Sequence, residues 1–208
     1  MRFAMSGRIV VLAVALWVTA LGSGFAVLLE YSNTPGAIDG HASRRWPAES
    51  RLRRHDGRAT LVMFAHPRCP CTRASVAELA RLMARLPDRP NAYVLFLQPE
   101  DVSPDWSRTD LWRSAVAIPG VTVVRDDDGA EARRFGALTS GLTLAYDRDG
   151  RLLFEGGITP SRGHEGNSFG QERIVSLLTG GKADRTDSPV FGCALGPVHR
   201  ASAMGLED

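Results

Sequence analysis

Residues 64–72 read Phe64-Ala65-His66-Pro67-Arg68-Cys69-Pro70-Cys71-Thr72, so two cysteines lie one residue apart. The apolar run Leu61–Phe64 leads into this stretch, and apolar residues recur at helical spacing after it. The pattern predicts a buried strand that delivers two thiols to the first turn of a helix. Because a helix N-terminus carries partial positive charge and unpaired N–H donors, it favours thiolate over thiol. Thiolate is the reactive form both for disulfide exchange and for binding a soft metal ion.

The composition is that of an ordinary globular protein. The 208 residues are 44% hydrophobic and 23% charged, and the formal net charge is +2. Such a small net charge gives no electrostatic reason to expect a nucleic-acid partner, and none is predicted.

The N-terminus carries a long apolar segment. Residues Ile9–Leu29 hold 21 positions without a charge, enough to cross a hydrocarbon core of about 30 Å as a helix. The apolar core of a signal peptide is usually shorter, about 7–15 residues. We therefore expect residues 1–30 to be a single-pass anchor in the inner (cell) membrane, with the C-terminal domain in the periplasm or outside. A weak cleavage site at Ala20-Leu21-Gly22 leaves a removed signal as the alternative.

The anchor is followed by a linker, a folded domain and a tail. Residues 31–57 show no sustained period and are expected to be a linker, with a short helix near Ala48–Arg54. Residues 58–181 alternate strands with helices and form the predicted α/β domain, and residues 182–208 are expected to be an irregular tail. The predicted order is strand, helix, strand, helix, strand, hairpin and helix, at 60–65, 72–86, 92–97, 107–117, 121–124, 142–154 and 168–178.

This order, with cysteines after the first strand, resembles the thioredoxin-like superfamily. The chain looks like a membrane-anchored, exported member with a Cys-Pro-Cys variant active site. The resemblance implies a thioredoxin-like mixed sheet flanked by helices, preceded by one N-terminal transmembrane helix. Phe64 lies five residues before Cys69, as in the thioredoxin strand that leads to the nucleophile. Cys69 therefore falls on the nucleophile position and Cys71 on the resolving position.

Two features depart from the family pattern. The usual spacer between the cysteines has two residues, whereas here it is Pro70 alone. The family also places a cis-proline just before the first hairpin strand, and counting back from Tyr146 puts Gly141 there. Since that cis-proline blocks metal capture and shapes the substrate groove in the family, its replacement argues against assuming ordinary thioredoxin activity.

The first functional hypothesis is a thiol–disulfide oxidoreductase that acts on a protein thiol or disulfide partner and needs no cofactor. Cys69 would attack as a thiolate, favoured by the helix N-terminus and by Arg68 and Arg73, and Cys71 would resolve the mixed disulfide. Residues two apart must bend to reach the usual Cα separation of about 4.4–6.8 Å. Such strain favours an oxidising or isomerising pair.

Two alternatives remain open. One is a copper or other soft-metal binding or chaperone module on the same fold, with Cys69, Cys71, His66 and His164 as ligands. The other is a thioredoxin-like scaffold whose cysteines are structural, or a partner-binding module without catalysis.

A glycine-rich loop at 156–166 carries further candidates, because in this fold the turn after the last strand lies beside the cysteines. Arg162 or His164 would steady a thiolate or an acidic partner there. His66 would tune Cys69 or bind a metal. The plainer interpretation of the loop is a surface turn.

Cys193 lies beyond the predicted domain. An odd cysteine in an exported protein suggests intermolecular pairing, a third redox partner or a free thiol. Because Val190, Phe191 and Leu195 flank it, we expect Cys193 to act as a small buried hydrophobic residue.

Overall fold

The computed structural model describes residues 7–37, 42–54, 57–182 and 185–196. The chain divides into two compact units, 1–34 and 35–208. The first unit holds helix α1, Gly7–Asn33, in which no residue is buried. This 27-residue helix is long and apolar enough to cross a membrane, and a signal sequence near an N-terminus has the same properties.

The second unit is a six-stranded mixed sheet with helices on both faces. Its strands are β1 Thr60–Ala65, β2 Asn91–Gln98, β3 Val121–Asp127, β4 Thr143–Tyr146, β5 Leu152–Gly156 and β6 Asp187–Ser188. Its helices are α2 Pro70–Arg85, α3 Asp110–Val116, α4 Ala130–Phe135 and α5 Phe169–Leu178. The strand order is β3-β2-β1-β4-β5-β6. Strands β1, β2 and β3 are parallel, β4 and β5 form the antiparallel hairpin, and β6 pairs parallel to β5. The predicted α/β sheet flanked by helices is confirmed.

Strand β1 is central and buried along its whole length. Because side chains alternate along a strand, Leu61 and Met63 pack into one hydrophobic cluster with α2, α3 and α5. Val62 and Phe64 pack into a second cluster on the opposite face, with α4. Both faces of β1 are buried, which explains why the sequence of this strand is a continuous apolar run. This buried strand fixes the position of the cysteines that follow it.

The segment around Asp126 differs from the prediction. The prediction ended the third strand at residue 124 and placed no helix between it and the hairpin, but β3 runs to Asp127 and α4 follows it. The buried Asp126 carboxylate accepts hydrogen bonds from the N–H groups of Glu131 (2.8 Å) and Ala132 (2.9 Å). This carboxylate satisfies the first orphan donors of α4, and the short helix forms although its sequence has little periodicity.

The predicted linker is in part a piece of the folded unit. Within residues 42–54 the structure has turns and bends in place of the expected helix near Ala48–Arg54. Leu52 is buried, and the Trp46 ring lies edge-on to Phe135 at 5.1 Å and to Tyr146 at 5.3 Å. The domain therefore begins before residue 58, because this segment covers one face of the sheet.

The tail is also more ordered than expected. Its residues Asp187–Ser188 form β6, and Val190, Phe191 and Leu195 are buried. Burial of these apolar side chains holds residues 187–195 on the domain. Residues 197–208 of the predicted tail lie outside the described residues.

Replacement of Trp46 by alanine is expected to lower the free energy of unfolding of the folded unit by about 2–4 kcal/mol, because it opens a void beside Phe135 and Tyr146. Urea denaturation of the full-length protein in detergent, followed by circular dichroism, measures this loss. Glu49→Ala, an exposed position in the same segment, should change the value by less than about 0.5 kcal/mol. Equal stabilities of the two variants would contradict the role given to Trp46.

Candidate active site

The cysteine pair occupies the start of α2, where β1 ends. Cys69 is the N-cap residue, with extended backbone (φ −88°, ψ 122°), and Pro70 is the first helical residue. Pro70 fits there because the first helical N–H has no partner within a helix. The Cys69 N–H donates to the carbonyl of His66 at 3.1 Å, and the Thr72 N–H donates to the carbonyl of Cys69 at 3.0 Å. The Cys69 sulfur therefore lies at the positive end of a 16-residue helix.

The segment before β4 lies against this turn. The Gly141 N–H donates to the carbonyl of Phe64 at 2.7 Å. Ser140 Oγ accepts from the His66 N–H at 2.9 Å and lies 2.8 Å from Thr72 Oγ1. Gly141 has a left-handed backbone (φ 92°), and the described residues contain no cis peptide bond. Gly141 thus lies beside the cysteine turn, where the sequence resemblance placed it, in a conformation that favours glycine.

The tail brings the third cysteine into the same place. The Ser140 N–H donates to the carbonyl of Cys193 at 2.8 Å, and the Leu195 N–H donates to that of Leu138 at 2.9 Å. Cys193 Sγ lies 2.7 Å from Cys69 Sγ. We expected Cys193 to be a small buried hydrophobic residue, but the structure places it, half-buried, against the nucleophile position. Sequence reasoning missed this contact, since its one signal was an unpaired cysteine.

Gly192 permits the approach of the tail. A Cβ atom at this position would lie 1.8 Å from the carbonyl oxygen of Ser140. Only glycine lets two backbones come so close without a shift. The carbonyl of Gly192 accepts a hydrogen bond from Arg162 Nη1 at 2.8 Å. The tail is therefore fixed over the cysteine turn from two sides.

The three thiols differ in acidity because of their positions. Burial raises the pKa of Cys69, but hydrogen bonds from the side chain and backbone of Cys193 and from the backbones of Cys71 and Thr72 outweigh it, and the pKa is lowered. Burial and the hydrogen bond to Cys69 raise the pKa of Cys193 to about 12. Burial and the negative charge of Cys69 raise the pKa of Cys71, against the opposing effect of Arg162. Of the three thiols, Cys69 is therefore the one whose pKa is lowered, while the pKa values of Cys71 and Cys193 are raised.

The glycine-rich loop is anchored through a buried carboxylate. Glu78 of α2 accepts from the Gly166 N–H at 2.6 Å and from the side-chain amide of Gln171. Arg162 of the same loop interacts with Cys71 and donates to the carbonyl of Gly192 in the tail. The exposed His164 instead places Nδ1 2.7 Å from the carbonyl of Arg162.

His66 and Arg68 pack on the indole of Trp106, which sequence reasoning did not select. The His66 ring is edge-on to Trp106 at 5.4 Å, and the Arg68 guanidinium lies 4.9 Å from the ring centre. His66 Nδ1 accepts the Arg68 N–H at 3.2 Å, and burial together with the Arg68 charge lowers the pKa of His66. His66 is therefore packed within the turn, with Arg68 exposed beside it.

The predicted metal ligands are not assembled. In the part of the chain that the structure describes, no group of three or more His, Cys, Asp or Glu residues is arranged to hold a metal ion.

Comparisons with known proteins bear on the fold. No protein-family model and no curated protein matches the chain. An uncharacterized conserved protein from Geobacillus kaustophilus is similar in structure, with a TM-score of 0.58 and 20% identity over 79% of this chain and 94% of that one. A hypothetical protein from Sinorhizobium meliloti 1021 has a TM-score of 0.51 and 23% identity over 67% of this chain and 80% of that one. An exposed lipoprotein thioredoxin from Streptococcus pneumoniae is also similar, with a TM-score of 0.44 and 15% identity over 60% of this chain and 86% of that one.

The protein has a thioredoxin-like fold. At these identities the likeness concerns the fold alone, and the chemistry of this thioredoxin-like domain rests on its own residues.

The ionisation of Cys69 is testable by titration. In the reduced full-length protein, one thiolate should form below the ordinary thiol pKa of about 8.5, and the other two should form above it. Thiolate absorbance at 240 nm against pH measures these steps. Cys69→Ser should remove the low step, whereas Cys71→Ser should retain it. A low step that persists without Cys69 would contradict the assignment.

The close approach at Gly192 predicts that Gly192→Ala loosens the tail. If the substitution lowers the free energy of tail docking by about 1.4 kcal/mol, the equilibrium constant for opening of the tail rises about tenfold. The alkylation rate of Cys69 in the reduced protein should rise by the same factor. Mass spectrometry of iodoacetamide-treated protein gives this rate. Gly196→Ala is the matched control, because a Cβ at that glycine meets no atom of the described residues within 4 Å. Equal rates for the two variants would show that the tail does not cover Cys69.

Proposed function

We propose that this protein is an exported thiol–disulfide oxidoreductase that acts on protein thiols through Cys69 and Cys71. The observation that carries the proposal is the environment of Cys69, at the N-terminus of α2 and surrounded by thiol and N–H donors that lower its pKa. Such an environment activates a cysteine, whereas an inert structural cysteine in an apolar setting has a raised pKa.

The reaction needs no metal or organic cofactor, and none is proposed. The Cys69 thiolate attacks one sulfur of a partner's disulfide, and the second partner sulfur leaves as a thiolate. Cys71 then attacks Cys69 in the mixed disulfide and releases the first partner sulfur. The partner gains two electrons, and the pair Cys69–Cys71 loses two. The reverse sequence oxidises a partner dithiol.

Charged residues around the cysteines support this chemistry. Arg162 interacts with Cys71 and opposes the rise in its pKa, which favours the thiolate that the second step requires. Arg68 is exposed beside the turn, where it presents a cation to an approaching partner.

The proposed location is the inner (cell) membrane, with α1 as a single span and the domain on the periplasmic or outer side. The length and apolar character of α1 support this location. An exported domain also works where protein disulfides persist, which suits a redox-active pair.

Cys69→Ser is expected to lower the rate of insulin disulfide reduction by dithiothreitol at least about a hundredfold, because it removes the attacking thiolate. Insulin turbidity with the full-length protein in detergent measures this rate. Cys71→Ser should give a smaller loss, since the attack by Cys69 remains. Ser107→Ala, which removes a buried hydroxyl that takes no part in the proposed exchange, should keep the rate. A Cys69→Ser protein as active as the Ser107→Ala protein would refute the proposal and favour a scaffold role.

A further inference from the structure

We infer that Cys193 is a third redox-active residue of this site, and that a disulfide between Cys69 and Cys193 is the resting oxidised form. The inference rests on the proposed function and deepens it, because it names the residue that forms a disulfide with Cys69 in the oxidised protein. Cys193 Sγ lies 2.7 Å from Cys69 Sγ, and a small movement brings two sulfurs at this separation to the bond length of about 2.05 Å.

The position of Cys193 is built by the surrounding backbone. Residues 139 and 194 form an antiparallel bridge, and hydrogen bonds from Ser140 and Leu195 lie on either side of Cys193. The carbonyl of Val190 accepts from the Gly36 N–H at 2.8 Å, and the Val190 side chain is buried. The tail is therefore docked on both sides of Cys193 by interactions that do not involve the sulfur.

Cys71 is less suited to keep Cys69 oxidised. Only Pro70 separates the two cysteines, and all of Pro70–Thr72 belongs to the start of α2. A bridge between residues two apart must distort this turn to reach an ordinary disulfide geometry. Cys193 approaches from a different segment, 124 residues away in sequence, and is free of this constraint.

The step that follows is an internal exchange. After Cys71 has resolved the mixed disulfide, the sulfur of Cys193 attacks Cys69. The 69–71 bond breaks as the 69–193 bond forms, and Cys71 leaves as a thiolate and takes up the proton that Cys193 gives up. No electrons enter or leave in this step, since the oxidant was the partner's disulfide in the preceding reaction.

The same contact controls access to the site. Cys69 is only 1% exposed, and the tail that carries Cys193 covers it. A bond between the two cysteines fastens the tail over the nucleophile, and reduction of the bond lets the tail open by local unfolding. The oxidised protein is thereby closed, and the reduced protein can admit a partner.

Tryptic mapping distinguishes the possible bonds. Cleavage after Arg68 and Arg73 leaves Cys69 and Cys71 together in the peptide 69–73, while Cys193 lies in the peptide 186–200. The full-length protein is oxidised with insulin disulfides, free thiols are blocked, and the peptides are read without reduction. The expected product is a 69–73 peptide joined to the 186–200 peptide. Cys71→Ser should keep this link, because Cys193 then attacks Cys69 in the mixed disulfide directly and releases the partner sulfur. Cys69→Ser should lose the link.

The outcomes separate the inference from the proposed function. An oxidised protein whose bridge lies wholly within peptide 69–73 would overturn the inference and leave the proposed exchange intact. A link that disappears in Cys71→Ser would also overturn it, because the bond would then join Cys71 to Cys193. Oxidation of the 69–193 pair by a small disulfide without any reduction of insulin would overturn the proposed function alone.

An equilibrium measurement supplies a second test with matched variants. Cys193→Ser should lower the equilibrium constant for oxidation by glutathione disulfide at least about tenfold, because only the distorted 69–71 bridge is left. Cys71→Ser should stay within about threefold of the wild-type constant. A Cys71→Ser protein that loses more than the Cys193→Ser protein would overturn the inference.

Discussion

The candidate active site depends on the close contact between the backbone at Gly192 and that at Ser140. The Ser140 N–H holds the carbonyl of Cys193 at 2.8 Å, and any side chain at Gly192 would collide with the carbonyl of Ser140. Ser140 Oγ also accepts a hydrogen bond from the His66 N–H and lies 2.8 Å from Thr72 Oγ1 in the first turn of α2. One residue therefore connects the tail to the cysteine turn, and the positions of Cys69 and Cys193 relative to each other follow from it.

The electrostatics of the site follow from this packing. A buried thiolate is costly unless donors replace the lost water. Cys193 and the first N–H groups of α2 supply those donors, and the pKa of Cys69 falls although the residue is buried. Arg162 links the tail to Cys71, and Glu78 anchors the loop that presents this arginine. Helix α2, the glycine-rich loop and the tail thus form one connected polar network around three sulfurs.

Several elements show how far the sequence could predict the fold. Strand β1 and helix α2 were predictable because both have strong apolar patterns and a clear boundary at the cysteines. Helix α4 was not, since its start depends on the buried carboxylate of Asp126 in a run of acidic residues that is typical of a solvated turn. The packed segments at 42–54 and 187–195 were missed for a related reason. Irregular segments have no period, and Trp46 or Phe191 reveals its partner only when the chain is folded.

The sequence by itself determined the mixed sheet, the apolar N-terminal helix and the placement of two thiols at a helix N-terminus. These features depend on neighbours within a few residues, where spacing and helix polarity are sufficient. Only the tertiary structure decided that Cys193 lies against Cys69, that Arg162 reaches Cys71, and that His66 and His164 bond elsewhere. The physical reason is that contacts between segments as much as 124 residues apart depend on the direction in which the chain returns. That direction is set by the packing of the sheet and by the approach that Gly192 allows.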